Sequence, residues 1–98
     1  MTSVRISEAA ESDLDAIWLH IAGDNPLNAD HFLDRLVSSI VNTLATAPLA
    51  GRAREEFGEG LRSFPFETYL VFYRLHQDAV EVVRIIHGAR DLGAIFGG

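Results

Sequence analysis

The sequence predicts an α+β domain of order β-α-α-β-β-β, in which a helical hairpin packs on one face of a mostly antiparallel four-stranded sheet. Three observations carry that prediction. Apolar residues recur at helical spacing from residue 8 to about 46, extended aromatic and β-branched runs fill residues 61 to 87, and a glycine- and proline-bearing stretch separates the two. With 98 residues, 48% of them hydrophobic and 22% charged, the chain holds one core and reads as a single domain, residues 1–98.

Residues 2 to 7, TSVRIS, alternate Val4 and Ile6 with polar neighbours, as a short half-buried strand does. Ser7 supplies an N-cap hydroxyl, and Glu8, Glu11, Asp13 and Asp15 bring negative charge to the start of the first helix. Its apolar stripe is Ala10, Leu14, Ile17, Trp18 and Ile21, which places Trp18 in the helix-to-sheet core, and it ends near Gly23. Asn25 and Pro26 restart the chain, because asparagine caps well and proline is tolerated at the first helical position. Ala29, Phe32, Leu33, Leu36, Val37, Ile40, Val41 and Leu44 then make a wide apolar face that ends before Pro48. So short a connection makes the two helices an antiparallel hairpin. Residues 48–60, PLAGRAREEFGEG, have no sustained period and read as a loop. LRSF (61–64), TYLVFYRL (68–75) and AVEVVRIIH (79–87), separated by PFE and HQD, form an antiparallel meander, with Pro65 at a strand end or on an edge.

Composition narrows function. There is no cysteine, so disulfides and thiolate metal sites are excluded, and no local spacing of the four histidines supplies a convergent metal site. The net charge is −6. Residues 1–50 hold seven acids against Arg5 and Arg35, and residues 51–98 hold seven acids against six arginines, so −5 and −1 make up the total. Such a balance disfavours a protein that coats nucleic acid by counterion release, and no sequence-specific nucleic-acid binding is expected. No apolar run is long enough for a membrane span and the N-terminus does not read as a signal peptide, so the expected location is the cytoplasm.

GR at 51–52, GLRSFPFETYLVFYR at 60–74 and VVRIIHGARDL at 82–92, preceded by the Asp24-Asn25-Pro26 restart, resemble the RelE/ParE toxin superfamily in order and spacing. The likeness is to its ParE, plasmid-stabilisation branch and covers almost the whole chain. The resemblance implies the toxin of a type II toxin–antitoxin module, neutralised by a cognate ParD-like antitoxin. RelE-type members are ribosome-dependent messenger-RNA endonucleases, whereas ParE-type members inhibit DNA gyrase and have no established hydrolytic site.

Cleaving RNA through its own 2′-hydroxyl needs a base, a cation for the phosphate and an acid for the leaving oxygen. By alignment with the nucleases, Leu70 stands where they carry an arginine and Phe96 where they carry a terminal tyrosine; no lysine exists to compensate. Arginine stays protonated and is a poor base. A ribonuclease would therefore have to use His87, with Arg62 or Arg84 holding the phosphate. The plainer reading of His87 is a strand end with one ring nitrogen bonded to backbone. Arg90 and Asp91 likewise read most simply as a surface ion pair, and the tail as a segment docked on its own core. If the tail instead meets a target, Arg90, Leu92 and Phe96 are the residues to do so.

Period two puts Tyr69, Val71, Tyr73 and Leu75 on one side of the middle strand and Thr68, Leu70, Phe72 and Arg74 on the other. A helical hairpin covers one side only. The other side would leave Leu70 and Phe72, or Tyr69 and Val71, exposed unless a partner lies over it, and the antitoxin is expected there, on Leu70, Phe72 and Arg74. The leading reading is thus a cofactor-free toxin that inhibits gyrase by binding. The alternatives are a RelE-type endonuclease and a degenerate toxin fold kept as a binding module.

Overall fold

A computed structural model describes residues 2–97. The elements are β1 (Ser3–Ile6), α1 (Glu8–Ala22), α2 (Pro26–Thr46), β2 (Arg52–Ala53), β3 (Leu61–Phe66), β4 (Tyr69–His76), β5 (Ala79–His87) and α3 (Leu92–Ile95). They build the predicted α+β architecture with one more strand than the sequence suggests. The sheet runs β1-β5-β4-β3-β2, and only the β1–β5 pair is parallel. The extra strand, β2, pairs Arg52 with Ser63 and Ala53 with Arg62 within the stretch expected to be pure loop. Two residues carry no period, so alternation could not reveal it.

Both hairpins of the meander turn through two residues. Phe66 pairs with Tyr69 and His76 with Ala79, and the first loop residue of each, Glu67 and Gln77, is left-handed (φ 53° and 56°). Pro65 lies inside β3, beyond the reach of the short β2, so its outer side faces an open edge where no ladder donor is needed. A bulge sets Phe72 opposite Arg84 and Tyr73 opposite Val82, leaving Val83 unpaired in the ladder.

The helical hairpin buries Ala10 and Ile17 of α1 and Ala29, Phe32, Leu36, Ile40 and Leu44 of α2. They meet Val71, Tyr73, Val80, Val82 and Ile85 from the sheet. Leu14 and Ile21 pack on this core, but Trp18 does not belong to it. Its indole Nε1–H instead donates to Asp30 Oδ1 at 2.8 Å, so a buried indole finds no role and the ring staples α1 to α2. Asn25 caps α2 by accepting from the N–H groups of Leu27 and Asn28.

Ser7 joins the two layers. Its Oγ accepts the Ala10 N–H that opens α1 and donates to the Val83 carbonyl at 2.9 Å, while its own N–H donates to the Val82 carbonyl. Ser7→Ala is expected to cost about 1–2 kcal/mol, a cap plus one partly buried acceptor, measured as a lower urea midpoint at unchanged m-value.

Candidate functional site

β1 covers β5 only from Ala79 to Val82, so the last five residues of β5 have a free outer edge. α1 fills that position with one side chain. Asp13 Oδ2 accepts from the Ile85 N–H (2.8 Å) and from Arg84 Nε (2.8 Å), and Oδ1 accepts from Arg84 Nη2 (3.0 Å). A carboxylate here does what a missing strand would do for the Ile85 amide, and it grips the guanidinium in a two-toothed fork. The hydrogen bond to Asp13 raises the Arg84 pKa and outweighs the lowering by burial, so Arg84 is a fixed positive charge. Asp13→Asn, which keeps the shape but exchanges an acceptor for a donor, is expected to cost about 1–2 kcal/mol. A matched urea titration of the two proteins checks this.

Next along β5, exposed His87 packs edge-on against Tyr69 with ring centroids 5.3 Å apart. Its Nδ1 accepts the Ala89 N–H at 3.1 Å. An accepting Nδ1 carries no proton, so the neutral ring holds its proton on Nε2 and presents a donor to solvent. Burial raises the Tyr69 pKa, which keeps that phenol protonated. Together with Ala16, Ile17, His20, Ile86 and Arg90, these residues line a cleft of ≈ 300 Å³ between α1 and the end of β5.

Arg62 is elsewhere. It lies on β3 opposite Tyr73, and its Nη1 donates to the carbonyls of Gly51 (2.7 Å) and Leu49 (3.4 Å). His87 lies opposite Tyr69, four residues away along β4 and two strand spacings across the sheet. That separates the two positions by roughly 16 Å between Cα atoms. Of the three residues named for RNA chemistry, only Arg84 and His87 share the cleft.

The second sheet face is not open. Leu61, Phe72 and Ile86 are buried there, and Phe57, Leu70, Val83, Leu92, Ile95 and Phe96 pack on them. The expectation that Phe72 is left bare is corrected: it is 0% exposed, because the tail folds back as α3. Phe96 lies 4.8 Å from the Phe72 ring and stacks on Phe57 at 5.4 Å. Arg54 adds its guanidinium over Phe57 and Phe72 and donates from Nε to Ser63 Oγ at 2.9 Å. Asp91 makes the tail possible. Its Oδ1 accepts the Ala94 N–H and caps α3, which replaces the expected ion pair with Arg90. Leu92 and Phe96 therefore dock on the chain's own core, Arg90 is exposed at the cleft, and Leu70 is half-buried.

Arg74 completes this face at the level of Leu61. Its Nε is buried without an acceptor, and Gly58 passes so close that an added Cβ would lie 3.1 Å from Nη2. Among the described residues no three His, Asp or Glu side chains gather as a metal site requires, and no helix is long and apolar enough to cross a membrane.

The fold and these residues can be set beside known proteins. The family model described as the ParE toxin of the type II toxin–antitoxin system parDE matches residues 4–92. Toxin ParE3 of Caulobacter vibrioides is 29% identical over 85 residues, covering 87% of this chain and 85% of that protein. Toxin ParE1 of the same organism is 27% identical over 99 residues, covering 99% of this chain and all of its own length. Among solved structures, the toxin–antitoxin complex RelBE2 of Mycobacterium tuberculosis aligns with TM-score 0.65 and 26% identity, over 88% of this chain and 96% of that one. A chain of the chromosomal ParDE system of P. aeruginosa shares the fold, with TM-score 0.75 at 24% identity over 89% of this chain and 96% of its own. Since the match runs from β1 through the first residue of α3 and so takes in the sheet, the helical hairpin and the cleft, this chain belongs to the ParE toxin family of type II toxin–antitoxin systems.

Proposed function

We propose that this toxin arrests growth by binding DNA gyrase in the cytoplasm, without cutting RNA, and that a ParD-like antitoxin neutralises it. The observation that carries the choice is the state of the ribonuclease candidates. Arg62 is spent on loop carbonyls far from the others, Arg84 is locked to Asp13, and His87 in its neutral form has its accessible nitrogen already protonated. A base must have a free lone pair within reach of the proton it takes. Phe96, packed between Phe57 and Phe72, offers no hydroxyl to replace it.

Arg90 is the proposed contact with gyrase, together with the parts of Leu92 and Phe96 that remain exposed at the outer side of α3. Leu70 and Arg74 form the proposed contact with the antitoxin, and Phe72 joins them only if α3 moves aside. Leu70 and Arg74 are only partly covered by the chain's own tail, which supports that assignment. The antitoxin partner itself is supported by the similarity to a solved toxin–antitoxin complex.

Expression of His87→Ala in a bacterial host tests the binding reading. Growth arrest is expected to match that of the unaltered toxin. A catalytic base would contribute about 10²-fold or more in rate, so survival rising by that order with the protein still folded would contradict it.

A further inference from the structure

The cleft between α1 and the end of β5 has a one-sided polar inventory. Its only carboxylate among the described residues, Asp13, already accepts three hydrogen bonds, about what its two oxygens can hold in a half-buried setting. The remaining polar side chains can donate. Neutral His87 offers Nε2–H, Tyr69 keeps its phenolic proton, Arg90 is exposed, and Arg84 retains Nη1 after Nε and Nη2 are spent on Asp13. His20 reaches the same cleft from α1, on the same helical face as Asp13 and Ile17. Two guanidiniums against one carboxylate leave the cleft positive on a chain whose net charge is −6. A local excess of that sign between low-dielectric walls concentrates anions.

We propose that this cleft is a binding site for a small oxyanion group, a phosphate or a carboxylate, held by Arg90 and the Nε2–H of His87, with the remaining Nη1 of Arg84 as a further donor. At ≈ 300 Å³ the cleft lies at the small end of ligand sites, which span about 300–1,000 Å³, so it suits a charged end group and little more. Asp13 is a positioning residue here. It pairs with Arg84, so the two charges largely cancel and Arg90 is left as the net positive charge of the cleft. The inference rests on the cleft's donors and stands or falls separately from the gyrase reading.

Inorganic phosphate tests it on the whole chain, followed by NMR of the His20 and His87 imidazoles and of the Ala89 and Arg90 amides. Sodium chloride and sodium acetate at matched ionic strength serve as comparison probes. Saturable shifts at these signals with phosphate are expected, and Arg90→Gln should weaken the apparent affinity about tenfold or more, the loss that goes with one charge-assisted hydrogen bond. Arg52→Gln, on the far edge of the sheet, should leave it unchanged. Acetate saturating the same signals would make carboxylates the class bound; a response to phosphate alone would make it phosphate. Non-saturating shifts, shifts that chloride reproduces, or an affinity that Arg90→Gln does not change would each overturn the proposal.

Discussion

Phe72→Ala is expected to destabilise the protein by about 3–5 kcal/mol, because a fully buried aromatic side chain is removed from between the sheet and the tail. A domain of this size has a total stability of about 5–15 kcal/mol, so the variant should be close to unfolding at 37 °C. The size of the effect follows from what surrounds the ring. Phe57 meets it edge-on at 6.3 Å, Phe96 leans on it at 4.8 Å and the Arg54 guanidinium lies 5.8 Å from its centre. A cavity there cannot close without moving both the loop and α3. Were this sheet face bare until a partner arrived, as alternation along β4 alone suggests, truncating Phe72 would change stability by well under 1 kcal/mol. Urea unfolding of the isolated toxin separates the two cases.

Gly51→Ala is expected to cost about 2–4 kcal/mol. The chain enters β2 by pressing its backbone against the sheet: the Gly51 N–H donates to the Tyr73 hydroxyl at 2.8 Å, and Arg62 takes the Gly51 carbonyl. A Cβ at this position would collide with the Tyr73 hydroxyl and lie 2.8 Å from the Ser63 carbonyl oxygen. Both neighbours are rigid, one a fully buried ring and the other main chain, so the collision is relieved only by backing β2 off. That breaks a buried hydrogen bond worth about 1–3 kcal/mol and adds the strain of overpacking. A fall in the thermal midpoint of roughly 8 °C or more, read by circular dichroism, is the expected result; a shift within 2 °C would contradict the close approach.

Most of the fold was legible because long periodic elements announce themselves. The helix spacing of α2 and the alternation of β4 are each written in several residues, and the burial of Val71 and Tyr73 on the helical side, with Phe72 on the other, follows the predicted split. What covers the second face was not legible. Leu92, Ile95 and Phe96 read equally well as a docked tail and as a target surface, and only the cap from Asp91 decides that α3 turns back. Asp91 carried a usable signal, since an aspartate three residues before Ala94 can accept its N–H.

Asp13 shows a different limit. Within an acidic helix start it looks like one more charge for the helix dipole, yet it sits beyond the first turn of α1, where that benefit has faded. Its partners Arg84 and Ile85 are more than 70 residues away, so no local pattern could name them. His87 was found from sequence, and so was its backbone-bonded ring. The cleft it shares with His20 and Arg90 depends on where α1 crosses the end of β5, which is a property of the packed layers.

This toxin is proposed to act by occupying its target and not by chemistry on RNA. The most direct measurement sets two assays of the same purified protein side by side: supercoiling of relaxed plasmid by DNA gyrase, and cleavage of messenger RNA on programmed ribosomes. Supercoiling is expected to be lost while the messenger stays intact. Cleaved messenger with gyrase unaffected would contradict it.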